Sequence, residues 1–290
     1  MAKKTSQKSI DTLIEDIDSL FLRDNYKVSE DNLEIFGENV KKLLKESLES
    51  AGSDRDFTIR MSNYGTPHRK LWYESKYSKE STKEDKISPA TYRKFLFGHI
   101  LEELLLFLIK ESGHSLTSEQ EEVEISGVLG HMDCVIDGEV TDIKSASTFS
   151  FGKFVNGSLL SNDPFGYIAQ LSGYSFAKGK DKGYFFVIDK QHGELTLLKV
   201  DDLDMINPED RIKEIRENLS KSTPPDEKCY EPKIYENGNK ELNTSCYYCH
   251  FKEKCWKDAN DGKGIRWFEY AGKTKGLVHV ESTPRVKELT

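Results

Sequence analysis

Apolar residues recur at helical intervals in "IDTLIEDIDSLFL" and again in "LEIFGENVKKLLKESLES", so residues 1–56 read as helices forming an N-terminal cap. "TIRMSNYGTPHRKLWYESKY" (58–77) interrupts that period with Gly-Thr-Pro and reads as an aromatic, basic loop entering a helix. Beyond the polar connection "STKEDKISPA", a strongly apolar helix is expected over residues 90–111, stopping near Gly113. Residues 121–147 then read as strands. A helix begins within "NDPFGYIAQLSGYSFAKG", where Asp163 can cap and Pro164 suits the first turn. "GYFFVIDK" and "ELTLLKV" are two further strands joined through residues 191–193, and "PEDRIKEIRENLSK" is a helix ended by "STPPDEK". Residues 225–290 read as loop-rich, and there is no internal repeat. This order predicts an α/β (α+β) protein with a central mixed sheet flanked by helices. It divides as a helical extension (1–56), a core (57–224) and a C-terminal region (225–290) packing on that core.

Composition narrows the class. At 290 residues the chain can form one large domain or a core with appendages. Its longest strongly apolar run, 104–109, is far too short to span a bilayer. "MAKKTSQKSI" has lysines with no apolar stretch behind them, so no signal peptide is read and a cytoplasmic location is expected. The net charge of -8 argues against a uniformly basic surface but is compatible with an acidic metal site beside a local basic groove. Four of the five cysteines lie in the last quarter of the chain, a distribution that favours metal binding over disulfides in such a protein.

The chemistry concentrates in "HMDCVIDGEVTDIK". Asp137-Gly138 between two β-like runs is a two-residue hairpin signal. With that turn, Ile136 pairs with Glu139 and Asp133 falls opposite Asp142. Two facing carboxylates repel unless a cation or a shared proton relieves them. Lys144, two residues after Asp142, shares its face of the strand, so Asp133, Asp142 and Lys144 converge. Two carboxylates with a carbonyl suit Mg²⁺ or Mn²⁺. Lys144 would then orient or help deprotonate a water, or neutralise charge on a phosphate. In "FLFGHILEELLLFLIKE", Glu102 borders a stripe of leucines, and Gly98 four residues earlier permits close approach to a sheet.

Taken in order, "GHILE", "GHMD", "TDIKS" and "QLSGY" resemble the motifs of the PD-(D/E)xK nuclease superfamily, and among its branches the RecB/AddAB-like nucleases that include phage-encoded exonucleases. The likeness covers roughly residues 58–260 and implies a restriction-endonuclease-like core. It implies metal ligation by Glu102, Asp133, Asp142 and the backbone carbonyl of Ile143, with Lys144 acting on the scissile phosphate. Gln170 and Tyr174 match the family's Gln-x-x-x-Tyr motif, which positions DNA or the lysine. The resemblance further implies linear DNA, single- or double-stranded, as partner, and assembly into rings or with a helicase or annealing protein.

Cys246, Cys249 and Cys255 in "CYYCHFKEKCW" have the spacing of a soft-metal site, either Zn²⁺ or a [4Fe–4S] cluster. Several RecB-like nucleases carry such a trio and take a fourth cysteine from upstream of the core, before an Arg-Lys-containing helix. Here "GTPHRKLWYE" has Pro67 and His68 at that point, which assigns Cys229 as the fourth ligand. Cys134 is expected in the core. Arg60, Arg69, Lys70, Trp72 and Tyr73 interleave cations with aromatics, as phosphate contact and base stacking require, and Lys153, Lys252, Lys254 and Lys257 are further candidates. These readings point to a metal-dependent deoxyribonuclease, an exonuclease by resemblance, in phage or cellular DNA degradation, recombination or repair. A structure-selective endonuclease and a non-catalytic nucleic-acid-binding module are the alternatives.

Overall fold

The computed structural model describes residues 8–50, 56–77 and 88–289; the N-terminal lysine segment and most of "STKEDKISPA" lie outside them. The chain forms two units, Met1–Gly65 with Lys86–Glu214, and Thr66–Asp85 with Ile215–Thr290. This division differs from the expected three parts. The first N-terminal helix shares the first unit's core, while the segment around residue 70 belongs with the cysteine region.

In the first unit, helices α1 (Leu13–Phe21) and α2 (Glu30–Glu49) precede α4 (Pro89–Glu111); α3 (His68–Tyr77) belongs to the second. Ser88 caps α4 by accepting from Thr91 N–H, with Pro89 in the first turn. Strands β1 (Leu116–Thr117), β4 (Cys134–Ile136), β5 (Glu139–Ala146), β6 (Gly183–Asp189) and β7 (Leu195–Val200) form a sheet in the order β1-β4-β5-β6-β7. Only β5 and β6 run parallel, so this central sheet is mixed, as expected. Strands β2 (Glu121–Ile125) and β3 (Val128–Met132) form a separate hairpin. The helices α5 (Thr148–Val155) and α6 (Tyr167–Ala177) lie between β5 and β6, and α7 (Pro208–Ser220) follows β7.

One face of the sheet carries Cys134, Ile136, Ile143, Tyr184, Phe186 and Ile188 against Leu13 and Ile17 of α1 and Leu105, Leu106 and Ile109 of α4. Alternation sends Phe185 to the other face, where it meets Phe154 of α5 and Tyr167 of α6. Every residue of β6 is buried, as a strand covered on both faces requires. Cys134 is a core residue. Among the described residues no helix is long and apolar enough to cross a membrane.

The second unit is loop-rich as expected, but it also carries a small sheet. Strands β8 (Lys233–Ile234), β9 (Lys240–Glu241), β10 (Arg266–Tyr270), β11 (Lys273–His279) and β12 (Glu288–Leu289) form an antiparallel sheet in the order β12-β10-β11-β9-β8. A core of Leu242, Cys246, Trp256, Ala259, Ile265 and Val278 accompanies it, with short helices α8 (Thr244–Tyr247) and α9 (Lys252–Cys255).

Candidate active site

The hairpin forms in the expected register, Ile136 with Glu139, Val135 with Val140 and Cys134 with Thr141. Asp137 (φ 50°) and Gly138 (φ 87°) both take left-handed backbone, the conformation that a two-residue turn between twisted strands demands. Asp137 is also tied from outside. Its Oδ1 accepts from Ser115 N–H at 2.9 Å, and its Oδ2 lies 2.6 Å from His114 Nδ1. His114 Nε2 in turn lies 3.0 Å from Asp16 Oδ2. This fully buried histidine was not singled out in the sequence because its partners lie on distant segments.

One step beyond the last pair, Asp133 stands across from Asp142, and its Oδ2 accepts the Ile143 N–H at 2.7 Å. Ile143 points into the α4 core, so Asp142 and Lys144 turn to the α6 face. Asp142 is fully buried. Lys144 Nζ lies 2.6 Å from Asp142 Oδ2, a close charge pair, while the buried Asp142 Oδ1 has no hydrogen-bond partner. Burial, then the Asp142 charge, pushes Asp133 well above the usual carboxylate range. Burial raises Asp142 too, against the pull of Lys144. For Lys144, burial favours the neutral amine, yet Asp142 and Asp133 together outweigh it and hold the ammonium above the ordinary lysine range.

Glu102 comes from α4, on the opposite side of β5. Gly98 lies beside β5, but a Cβ there would meet Ser145 Oγ at 3.5 Å, an ordinary contact, so the approach does not require glycine. The Glu102 charge raises both Asp133 and Asp142. Its Oε1 accepts from Gln120 Nε2 at 2.8 Å, and its Oε2 lies 3.8 Å from His99 Nδ1. Gln120 has φ 53°, and its backbone N–H donates to Asp133 O at 3.1 Å. It therefore links Glu102 to Asp133 across segments far apart in sequence, a link with no local signal.

These residues fit a hard cation in donor type. The buried, unpartnered Asp142 Oδ1 is what a divalent ion or a proton satisfies. Among the described residues, however, no three His, Cys, Asp or Glu side chains are gathered closely enough to hold a metal ion. Glu102 is engaged by Gln120 and Asp142 by Lys144, so the acids stand near one another without closing into a cage.

Gln170 and Tyr174 meet on α6, where Gln170 Nε2 donates to Tyr174 Oη at 3.0 Å. Tyr174 is buried, and the Asp142, Asp133 and Lys144 charges all act on it. Close packing sets α6 in place. A Cβ on Gly130 of β3 would come 2.4 Å from Met61 Cβ and 3.0 Å from Tyr174 Cε1, and one on Gly173 would come 2.8 Å from Tyr64 Oη. Tyr167, also not singled out in the sequence, presents its ring 5.2 Å from Lys144 Nζ.

In the second unit, the thiols of Cys229, Cys246, Cys249 and Cys255 are close enough that Cys246 is influenced by the other three. Burial pushes Cys229 up to about 11 and Cys246 up to about 12. All four are free thiols and suit a soft metal in donor type, but among the described residues no three of them are gathered closely enough to hold one. Arg69 of α3 donates from Nε to Cys255 Sγ at 3.1 Å and also bonds the carbonyls of Pro225 and Cys255.

Three residues read as DNA contacts are corrected here. Arg69, Trp72 and Tyr73 are buried within the second unit: Arg69 on Cys255, Trp72 donating to Lys221 O at 3.0 Å, and Tyr73 stacked on Phe251 at 5.6 Å. Helical spacing turned their side chains inward. Arg60, Lys254 and Lys257 are exposed, and Lys70, Lys153 and Lys252 are half-buried.

No family model matches the chain, and no curated protein matches it in sequence. Solved structures resemble the chain weakly. The crystal structure of SSO0001 is 19% identical over 75% of this chain and 94% of its own, with a TM-score of 0.39. An alkaline exonuclease from Laribacter hongkongensis is 15% identical over 54% of this chain and 88% of its own, with a TM-score of 0.35. A phage-related exonuclease from Haemophilus somnus 129PT is 14% identical over 57% of this chain and 92% of its own, with a TM-score of 0.39. At these scores the likenesses carry no argument about activity.

Proposed function

We propose that the protein is a metal-dependent deoxyribonuclease that hydrolyses phosphodiester bonds, working as an exonuclease in DNA degradation, recombination or repair. The observation that carries this reading is Asp142, a fully buried carboxylate paired with Lys144 through Oδ2, with its Oδ1 unpartnered, facing Asp133 across a hairpin. A purely structural hairpin gains nothing from two opposed acids and a buried charge pair. The motifs read from the sequence assign the same residues to one chemistry.

Asp133, Asp142, Glu102 and the Ile143 carbonyl would hold Mg²⁺ or Mn²⁺, which when bound supplies Lewis acidity to the scissile phosphate. Lys144, paired with Asp142, would orient or help deprotonate the attacking water, or neutralise charge on the phosphate. Gln120 keeps Glu102 beside Asp133, and the Gln170–Tyr174 pair orients DNA or the lysine from α6. The four cysteines of the second unit would hold a [4Fe–4S] cluster or Zn²⁺ as a structural group.

The test compares end-labelled linear DNA with closed circular DNA, each with Mg²⁺ or Mn²⁺. The proposal predicts loss of the linear substrate from its ends with circles intact. Cut circles would replace it with an endonuclease, and tight DNA binding without cleavage would replace it with a binding module.

A further inference from the structure

Phe165 is 62% exposed, yet the loop that carries it is firmly fixed. Asp163 Oδ1 accepts from Phe165 N–H at 3.2 Å and from Gly166 N–H at 2.9 Å, while its Oδ2 accepts from Ile168 N–H at 2.8 Å. Gly166, at φ 77°, lies against Gly65 so closely that a Cβ on Gly65 would stand 2.4 Å from Gly166 O. A large apolar ring thus keeps most of its surface in solvent on a hydrogen-bonded loop.

The ring is not isolated. Phe165 stacks on Tyr167 with centroids 5.4 Å apart and planes at 27°. Tyr167 continues the row onto Phe154, 6.3 Å away at 28°, and presents its face to Lys144 Nζ at 5.2 Å. The row therefore runs from solvent to the Asp142–Lys144 pair. Lys153 anchors on the same loop by donating to Asn162 O at 3.3 Å, which brings a second cation to its flank. An outer aromatic face with cations beside it suits one kind of ligand: a strand that carries flat π-systems on an anionic backbone.

We infer that Phe165 is a base-stacking residue, seating an unpaired nucleobase of a single-stranded segment so that the adjoining phosphate lies at Lys144. This rests on the nuclease reading above. It assigns the outer end of the aromatic row to the base and the inner end to the lysine, and it makes an unpaired base next to the cleaved bond part of what the site recognises.

The test measures binding of a fluorescent single-stranded oligonucleotide to full-length Asp142→Ala protein, with and without Phe165→Ala or Phe165→Trp. Phe165→Ala is expected to weaken binding about tenfold, within the range for loss of one base–aromatic stack. Phe165→Trp is expected to retain affinity, with its added fluorescence quenched by the oligonucleotide. An abasic oligonucleotide is expected to bind Phe165→Ala and Phe165-containing protein alike. Equal loss from Phe165→Ala on abasic and base-containing strands would overturn the inference. So would unchanged oligonucleotide affinity, whether or not self-association of the protein fell. In either case Asp142-dependent cleavage by the wild type would leave the nuclease reading standing, whereas absence of nucleic-acid binding by every form, together with absence of cleavage, would overturn both.

Discussion

Asp142 is buried, with the Lys144 cation set against its Oδ2 at 2.6 Å and its Oδ1 unpartnered. Replacing Lys144 by methionine removes that charge while keeping most of the side chain's length. The expected outcome is a fall in kcat of about 10²-fold or more, the usual scale for losing a fixed charge aimed at a reacting oxyanion, measured by single-turnover cleavage. Gln120 acts one step further out. Gln120→Ala releases Glu102 and is expected to raise the Mg²⁺ concentration needed for half-maximal rate about 10- to 100-fold, with the rate at saturating Mg²⁺ much less affected. An unchanged requirement would show that Glu102 does not depend on it. Asp189 gives a pH prediction. Burial would raise its carboxyl, but His192, the Gln191 N–H and Thr148 outweigh this and bring it down to about 2. Because the folded value lies below the unfolded one, its contribution to stability is present above about pH 4 and is lost as pH falls toward 2. The stability difference between wild type and Asp189→Asn should therefore shrink over that window in acid titrations followed by circular dichroism.

At the scale of elements, the β4–β5 hairpin holds the two aspartates face to face, and its turn is fixed both by its own backbone and by His114. His114→Ala is expected to cost about 2–3 kcal/mol in urea denaturation, since it removes a buried group bonded to Asp137 and leaves that carboxylate with fewer partners. The placement of Asp133, Asp142 and Lys144 was legible in the sequence. Asp-Gly fixes a turn, and strand alternation then fixes which side chains meet. Gln170 and Tyr174 were legible for a similar reason, four residues apart on a helix. Gln120, His114 and Tyr167 were not, because each acts through a contact between segments that no local period connects. The β10–β11 hairpin was also passed over. Its turn is Ala271-Gly272, with Ala271 at φ 45°, where the usual signal is Asn or Asp before glycine.

Across the whole molecule, the chemistry divides between two units: hard oxygen donors in the first and soft sulfur donors in the second. The mixed sheet and most of its helices could be read from hydrophobic periodicity. The unit boundaries could not, because residues 66–77 join a region more than a hundred positions away. If the sulfur set holds a metal, purified protein should carry iron with inorganic sulfide, or zinc, and Cys246→Ser should lose it and lower the melting temperature. Protein purified anaerobically with neither would contradict that part of the account. The central claim is metal-assisted hydrolysis at the hairpin acids. It is tested most directly by the rate of linear-DNA cleavage as Mg²⁺ is titrated, in wild type and in Asp142→Ala. The account predicts saturable, chelator-sensitive cleavage by the wild type and a loss of about 10³-fold or more in the variant at every Mg²⁺ concentration. Equal cleavage by the two proteins, or wild-type cleavage that persists in excess chelator, would contradict it.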